Sequence, residues 1–271
     1  RNQGLARQQT QAVQERILTP CSAMKISIIT ACFNSAATLL DTLESVRSQS
    51  YGDYELIVVD GGSTDGTVAM LADYEKHFGG RMRWISEPDK GIYDAMNKGI
   101  AMATGDIIGF LNSDDYYFDN DVLKDIVAAF VAHPVAEAVH GDLLFINANR
   151  KVVRTWRGSD YRPGAFQRGW MPAHPTFYCR RRCYEQYGSF VPEIGSAADF
   201  EIMLRFIEKH RICTRYIKRH FIYMRTGGSS TSGIRAILRN TRQNLAAFRQ
   251  NNIPCPWHYA ISRFTAKIQL F

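Results

Sequence analysis

The stretch KISIITACFNSAATLLDTLESVRSQSYGDYELIVVD, Lys25 to Asp60, decides the fold. KISIITA is a short β-branched run. TLLDTLESVRSQS places Leu39, Leu40, Leu43 and Val46 at helical spacing, and YELIVVD is a second buried strand. The alternation then continues. STDGTVAMLADYEKHF reads as a helix with Ser63 or Thr64 as N-cap, RMRWIS as a strand, GIYDAMNKGIAMA as a helix, DIIGFLN as a strand and NDVLKDIVAAFVAH as a helix. Strands alternating with helices of this length predict βαβ units, and hence a doubly wound α/β fold with a mostly parallel sheet covered on both faces.

Past about residue 136 the alternation loosens. AEAVHGDLLFIN and KVVRTW read as a hairpin or sheet extension, followed by a Gly, Pro and aromatic loop from Gly158 to Pro175. A helix, ADFEIMLRFIEKH, and a strand, ICTRYIKRHFIYM, come next. The predicted division is an N-terminal extension over 1–23, a main domain over 24–230 with halves 24–135 and 136–230, and basic amphipathic helices over 231–271. Met24 resembles a natural start, so residues 1–23 are set apart as an appended or upstream segment.

Bulk properties narrow the function. With 271 residues and 45% hydrophobic content the chain can bury one substantial core. No apolar run is long enough to span a bilayer, and the N-terminus has no secretory signal, which predicts a cytoplasmic protein. The six cysteines are scattered, without a paired zinc spacing, as expected of reduced thiols; Cys179 and Cys183 find no partner set for a metal. A net charge of +7 suits anionic partners. Nucleic acid is not expected, because the basic residues do not cluster with stacking aromatics and acidic residues occupy the predicted cleft.

Ligands of parallel α/β sheets bind beyond the carboxyl ends of the strands, and Thr30, Asp60 and the pair Asp114 and Asp115 all fall at such ends. VVDGGSTDGT is neither a mononucleotide phosphate loop nor a dinucleotide turn. Asp60 can be part of a strand-to-helix turn or can accept a hydrogen bond from a base N–H. Adjacent carboxylates repel unless neutralised, and a hard divalent cation with oxygen ligands is an economical neutraliser. With Lys90 at the same rim, the composite reading is a diphosphate clamped by Mg²⁺ or Mn²⁺.

At these residues the chain resembles a known family. The Ile26–Thr67 region, EPDKGIYDAMNKGIAMATGD and FLNSDD resemble successive blocks of the inverting family 2 glycosyltransferases with a GT-A fold, over roughly residues 24 to 230. The DKGIYDAMNKGI wording is particularly similar to bacterial enzymes of exopolysaccharide, capsule or O-antigen synthesis. The resemblance implies a nucleoside-diphosphate sugar donor and a saccharide or lipid-linked saccharide acceptor. By it, Thr30 and Asp60 hold the base and Lys90 sits near base or ribose. Asp114 approaches the ribose or metal, and Asp115 is the main protein ligand of the metal. Two departures stand out: VDDGS is VDGGS here, and the first place of a strict D-x-D is Asn112.

The second half has to supply an acceptor site and a base. GSAADFEIMLR resembles the family's later acidic motif, and Asp199 matches its carboxylate; a helix cap is the alternative, while Glu201 with Arg205 reads as a surface pair. His174 in MPAHPTF and Trp170 are candidate acceptor-binding residues, each with a plain structural alternative. Arg225, before a Gly-Gly-Ser turn, suits a lid over diphosphate. The basic tail, with Arg235, Arg239, Arg242 and Arg249 among Ile234, Ile237, Leu238, Leu245 and Phe248, either lies on an anionic membrane surface, giving peripheral attachment to the inner face of the plasma membrane, or docks on its own domain. A homo-oligomer is compatible with this reading.

Overall fold

The computed structural model describes residues 24–227 and 234–260. The strands are β1 (Ile26–Cys32), β2 (Tyr54–Asp60), β3 (Met82–Ser86), β4 (Ile107–Phe110), β5 (Tyr116–Tyr117), β6 (Ala138–Ile146), β7 (Val152–Trp156), β8 (Tyr178–Arg180) and β9 (Thr214–Arg225). The helices are α1 (Leu39–Arg47), α2 (Thr67–Tyr74), α3 (Ile92–Met102), α4 (Val122–Ala132), α5 (Arg181–Tyr187), α6 (Ala198–Met203) and α7 (Ile234–Gln250).

One sheet runs in the order β3-β2-β1-β4-β8-β6-β9-β5, with β7 on the side of β6. The first four strands are parallel. β8 then enters antiparallel between β4 and β6, and β9 pairs β6 in parallel. All seven residues of β1 and of β2 are buried, as strands covered on both faces require. Alternate side chains divide between two apolar layers. Ile29, Ile57, Ile108 and Phe110 lie in one with Met96 of α3 and Phe200 of α6, while Ile28, Val58 and Ile107 lie in the other with Leu43 of α1 and Ile126 of α4. Each fully buried aliphatic side chain stabilises the fold by about 1.5–3 kcal/mol. α3 approaches β1 so closely that a Cβ on Gly99 would lie 2.4 Å from Ile29 Cγ2.

Two local expectations change. α2 begins at Thr67 behind Gly66, which is left-handed at φ 100°, and neither Ser63 nor Thr64 caps it. Asp65 Oδ1 instead accepts from Thr67 N at 3.1 Å and Thr67 Oγ1 at 2.6 Å. The predicted helix over 198–210 relaxes after Met203 into a wider π-type turn at Leu204–Lys209. The hairpin of β6 and β7 forms as the pattern predicts. The extension over 1–23, the Gly-Gly-Ser turn after Gly227 and the end of the basic tail lie outside the described residues.

Candidate active site

The register places Cys32, Asp60 and Ser86 side by side at the carboxyl ends of β1, β2 and β3. The loop after β4 joins this rim through Ser113, whose Oγ lies 2.9 Å from Ser35 Oγ and whose carbonyl accepts from Thr38 Oγ1 at 2.9 Å. Residues from all four parallel strands therefore share one edge, where such sheets bind ligands.

Asp60 is solvent-inaccessible and fully engaged. It accepts from Gly62 N at 3.1 Å, Ser63 N at 2.9 Å, Ser86 Oγ at 2.7 Å, Cys32 Sγ at 3.5 Å and the Ser63 hydroxyl. Burial pushes its pKa up, but the donors, led by Ser63, outweigh burial and leave it below the usual carboxylate value. Asp60 thus shapes the Gly61-Gly62-Ser63 turn, with no free acceptor left for a base. Thr30 is also fully buried, two residues below the end of β1, and its hydroxyl has no hydrogen-bond partner. Its side chain lies beneath the rim. Lys90 is exposed at the rim, and its backbone N–H donates to Asp94 Oδ2 at 3.0 Å.

The adjacent carboxylates, both expected near the metal, differ in exposure. Asp115 is the buried one: its carboxylate accepts from Asn112 Nδ2 at 2.9 Å and Arg225 N at 3.1 Å. Burial, reinforced by the charge of Asp114, pushes its pKa up to about 8. Asp114 is partly exposed and no side chain among the described residues donates to it, although burial still raises its pKa against the opposing charge of Arg225. Asp114 is the more exposed carboxylate of the pair. Among the described residues no three His, Cys, Asp or Glu side chains converge, so the remaining ligands would be diphosphate oxygens and water.

Arg225 does not reach freely over this rim. Its guanidinium pairs with Asp41 of α1, and its Nε donates to the Asp114 carbonyl at 2.9 Å. Asp41 also holds Arg150 at 2.9 Å. Arg225 thus fastens β9 to α1 behind the Asp114 loop.

Asp199 lies in the first turn of α6, where Ala197 occupies the N-cap, so it does not act as the cap itself. It is half-buried, its Oδ1 accepts from Phe200 N at 2.7 Å, and its charge raises the pKa of Tyr93, second to the effect of burial. Tyr93 stands in the first turn of α3, just after Lys90, so Asp199 comes close to the donor rim. Glu201 overturns the surface-pair reading. It is 1% exposed, holds Arg205 at 2.9 Å and accepts from Asn251 Nδ2 at 2.9 Å, while Arg205 also donates to the Gly188 and Ser189 carbonyls.

His174 stacks on Phe110, ring centroids 5.3 Å apart, and meets Phe190 edge-on at 5.6 Å. Burial lowers its pKa to about 4, so it is neutral at physiological pH. Trp170 is half-buried among Tyr161, Phe166 and His140, with Nε1 donating to Ser159 Oγ at 2.9 Å. His174 is therefore buried against core aromatics, while Trp170 is only partly covered. The basic helix α7 packs Phe248 on Phe200 and turns Arg239, Arg242 and Arg249 outward.

The sequence reading missed Phe33, Ser86 and Asp89. Phe33 is 61% exposed at the end of β1, which the break from the buried run at Cys32 to a lone aromatic signals. Ser86 and Asp89 matter only because β3 pairs with β2, which spacing alone does not reveal.

A mixed sheet of this order with an acidic loop after β4 is the GT-A arrangement of glycosyltransferases. The fold is similar to a mannosyltransferase from Pyrobaculum calidifontis in complex with GDP-Man and Mn²⁺, with a TM-score of 0.64 and 16% identity over 93% of this chain and 74% of that one. It is also similar to S. aureus TarS, with a TM-score of 0.63 and 20% identity over 89% of this chain; the match spans 45% of TarS. A PGL/p-HBAD biosynthesis glycosyltransferase of Mycobacterium tuberculosis is 32% identical over 197 residues, 72% of this chain and 75% of the relative. Residues 27–191 match the Glycosyl transferase family 2 profile, and the chain belongs to that family.

Proposed function

We propose that the protein transfers a sugar from a nucleoside-diphosphate donor to a hydroxyl acceptor, with inversion at the anomeric carbon. The observation that carries this reading is the division of labour at the rim: Asp114 open, Asp115 buried, and Asp199 beside the α3 turn that follows Lys90. The donor's base lies over the ends of β1 and β2, with Phe33 offering an apolar face. Asp114 holds a divalent ion, Mn²⁺ or Mg²⁺, which when bound offsets the charge developing on the diphosphate. Asp199 takes the proton of the acceptor hydroxyl as it attacks, and Phe200 N holds that carboxylate in place. Trp170, partly exposed, walls the acceptor side.

The acceptor class is a saccharide or lipid-linked saccharide of a surface polysaccharide, met at the inner face of the plasma membrane. What supports this is α7: its arginine face points outward beside Leu238, 65% exposed, and Trp257, 90% exposed. Among the described residues no helix is long and apolar enough to cross a membrane. Flotation with anionic liposomes tests this attachment, and failure of the intact protein to float would remove it.

The test of the transfer itself is acceptor-dependent release of nucleoside diphosphate from a panel of sugar donors with Mn²⁺. Asp199→Asn should lower turnover by about 10²–10⁴ while donor affinity stays within about twofold of wild type. Wild-type turnover in that variant would exclude Asp199 as the base.

A further inference from the structure

The turn that leads into α6, Pro192–Ala197, is bent at Gly195, whose φ of 76° and ψ of −139° belong to no helix. That conformation is open to glycine and strained for other residues. The space is taken as well: a Cβ placed on Gly195 would run into Gln243 Nε2 and lie 3.4 Å from Gln243 Cδ. Ser196 comes next and joins two elements. Its Oγ lies 2.7 Å from Gln243 Oε1 and 2.9 Å from Asn240 Oδ1 of α7, while its carbonyl accepts from Tyr93 OH of α3 at 3.4 Å. On the far side of Asp199, Phe248 of α7 packs on Phe200, ring centroids 5.6 Å apart, and Asn251 Nδ2 donates to Glu201 Oε1 at 2.9 Å. α7 and the residues just after it therefore hold the chain before Asp199 at Gly195 and Ser196, and the chain after it at Phe200 and Glu201. A helix docked for packing alone would carry an apolar stripe on this face, yet here it turns Asn240 and Gln243 toward Ser196.

Resting on the reading of Asp199 as the base, we propose that Gln243 is a positioning residue for that carboxylate. By filling the hollow at Gly195 and bonding Ser196, it fixes the direction in which α6 leaves the turn, and so aims Asp199 at the acceptor hydroxyl. A base acts only within hydrogen-bond reach of the proton it takes, and a misplacement of about 1 Å costs about 10²-fold in rate. The donor rim is built on other elements, so loss of Gln243 slows transfer and leaves nucleotide binding intact.

The test measures release of nucleoside diphosphate from UDP-, dTDP- and GDP-sugars with Mn²⁺, with octyl glycosides as acceptors and with water alone, beside calorimetric titration of UDP, dTDP and GDP. Gln243→Ala is expected to lower kcat about 10- to 100-fold while nucleotide affinity stays within about twofold of wild type. Ser196→Ala removes the same contact from the other side, is expected to give the same loss, and carries the test if Gln243→Ala does not fold. Ala246→Ser, on the exposed side of α7, should match wild type. Because Gln243 acts through Asp199, adding Gln243→Ala to Asp199→Asn should cause no further loss. An equal fold-loss in both backgrounds, a parallel loss of nucleotide affinity, or wild-type kcat in both Gln243→Ala and Ser196→Ala overturns the assignment and leaves Asp199 as the base. Wild-type turnover in Asp199→Asn, or wild type that releases no nucleoside diphosphate, overturns the underlying reading and the assignment together.

Discussion

Asn112 Nδ2 donates to Asp115 Oδ2 across 2.9 Å, and this bond turns the second carboxylate of the acidic loop inward. Asp115 is thereby a structural anchor, closed from its other side by the backbone of Arg225. Asp114 alone of the pair faces outward.

The anchor makes stability pH-dependent. In the unfolded chain Asp115 titrates near 3.8, whereas burial holds its folded pKa at about 8. The folded state thus binds the extra proton between these values. Its contribution is fully present below the lower value and is lost as pH rises through the upper one. Without divalent ion, the unfolding midpoint of wild type should fall between pH 5 and 8 relative to that of Asp115→Asn, in which the group cannot titrate. Parallel midpoint curves for the two proteins would show that Asp115 is ionised in the fold.

Asp60 collects backbone and hydroxyl donors from two strand ends, so its removal strands several polar groups at once. Asp60→Ala should cost about 2–4 kcal/mol in chemical denaturation. A loss of nucleotide affinity at wild-type stability would instead restore Asp60 as a direct base contact.

Glu201 and Arg205 form a pair whose side chains are 1% and 10% exposed. Removing one partner leaves a buried charge uncompensated, so Glu201→Ala should destabilise by about 3–5 kcal/mol. Glu201→Gln keeps the hydrogen bonding of Asn251 and should retain transfer activity. Loss of turnover in a stably folded Glu201→Gln would move the base role toward Glu201.

The parallel core was legible because β1 and β2 are continuous apolar runs separated by a helix of clear period, and such runs have few alternatives. The rim was legible for the same reason: strand ends are visible where buried runs stop. Which of Asp114 and Asp115 faces water was not legible, since that follows from Asn112 and from Arg225, 110 residues further along the chain. Glu201 read as a surface residue because its cover, Asn251 of the segment after α7, is 50 residues away. The relation of Gly195 to Gln243 escaped for a similar reason, as it exists only where α7 packs on the turn before α6.

Metal-dependent donor binding at Asp114 is tested most directly by calorimetry of nucleoside diphosphates with and without Mn²⁺ on wild type, Asp114→Ala and Asp115→Asn. The expected result is binding that requires Mn²⁺ in wild type, survives in Asp115→Asn and weakens about tenfold or more in Asp114→Ala. Unchanged, Mn²⁺-dependent affinity in Asp114→Ala would contradict it.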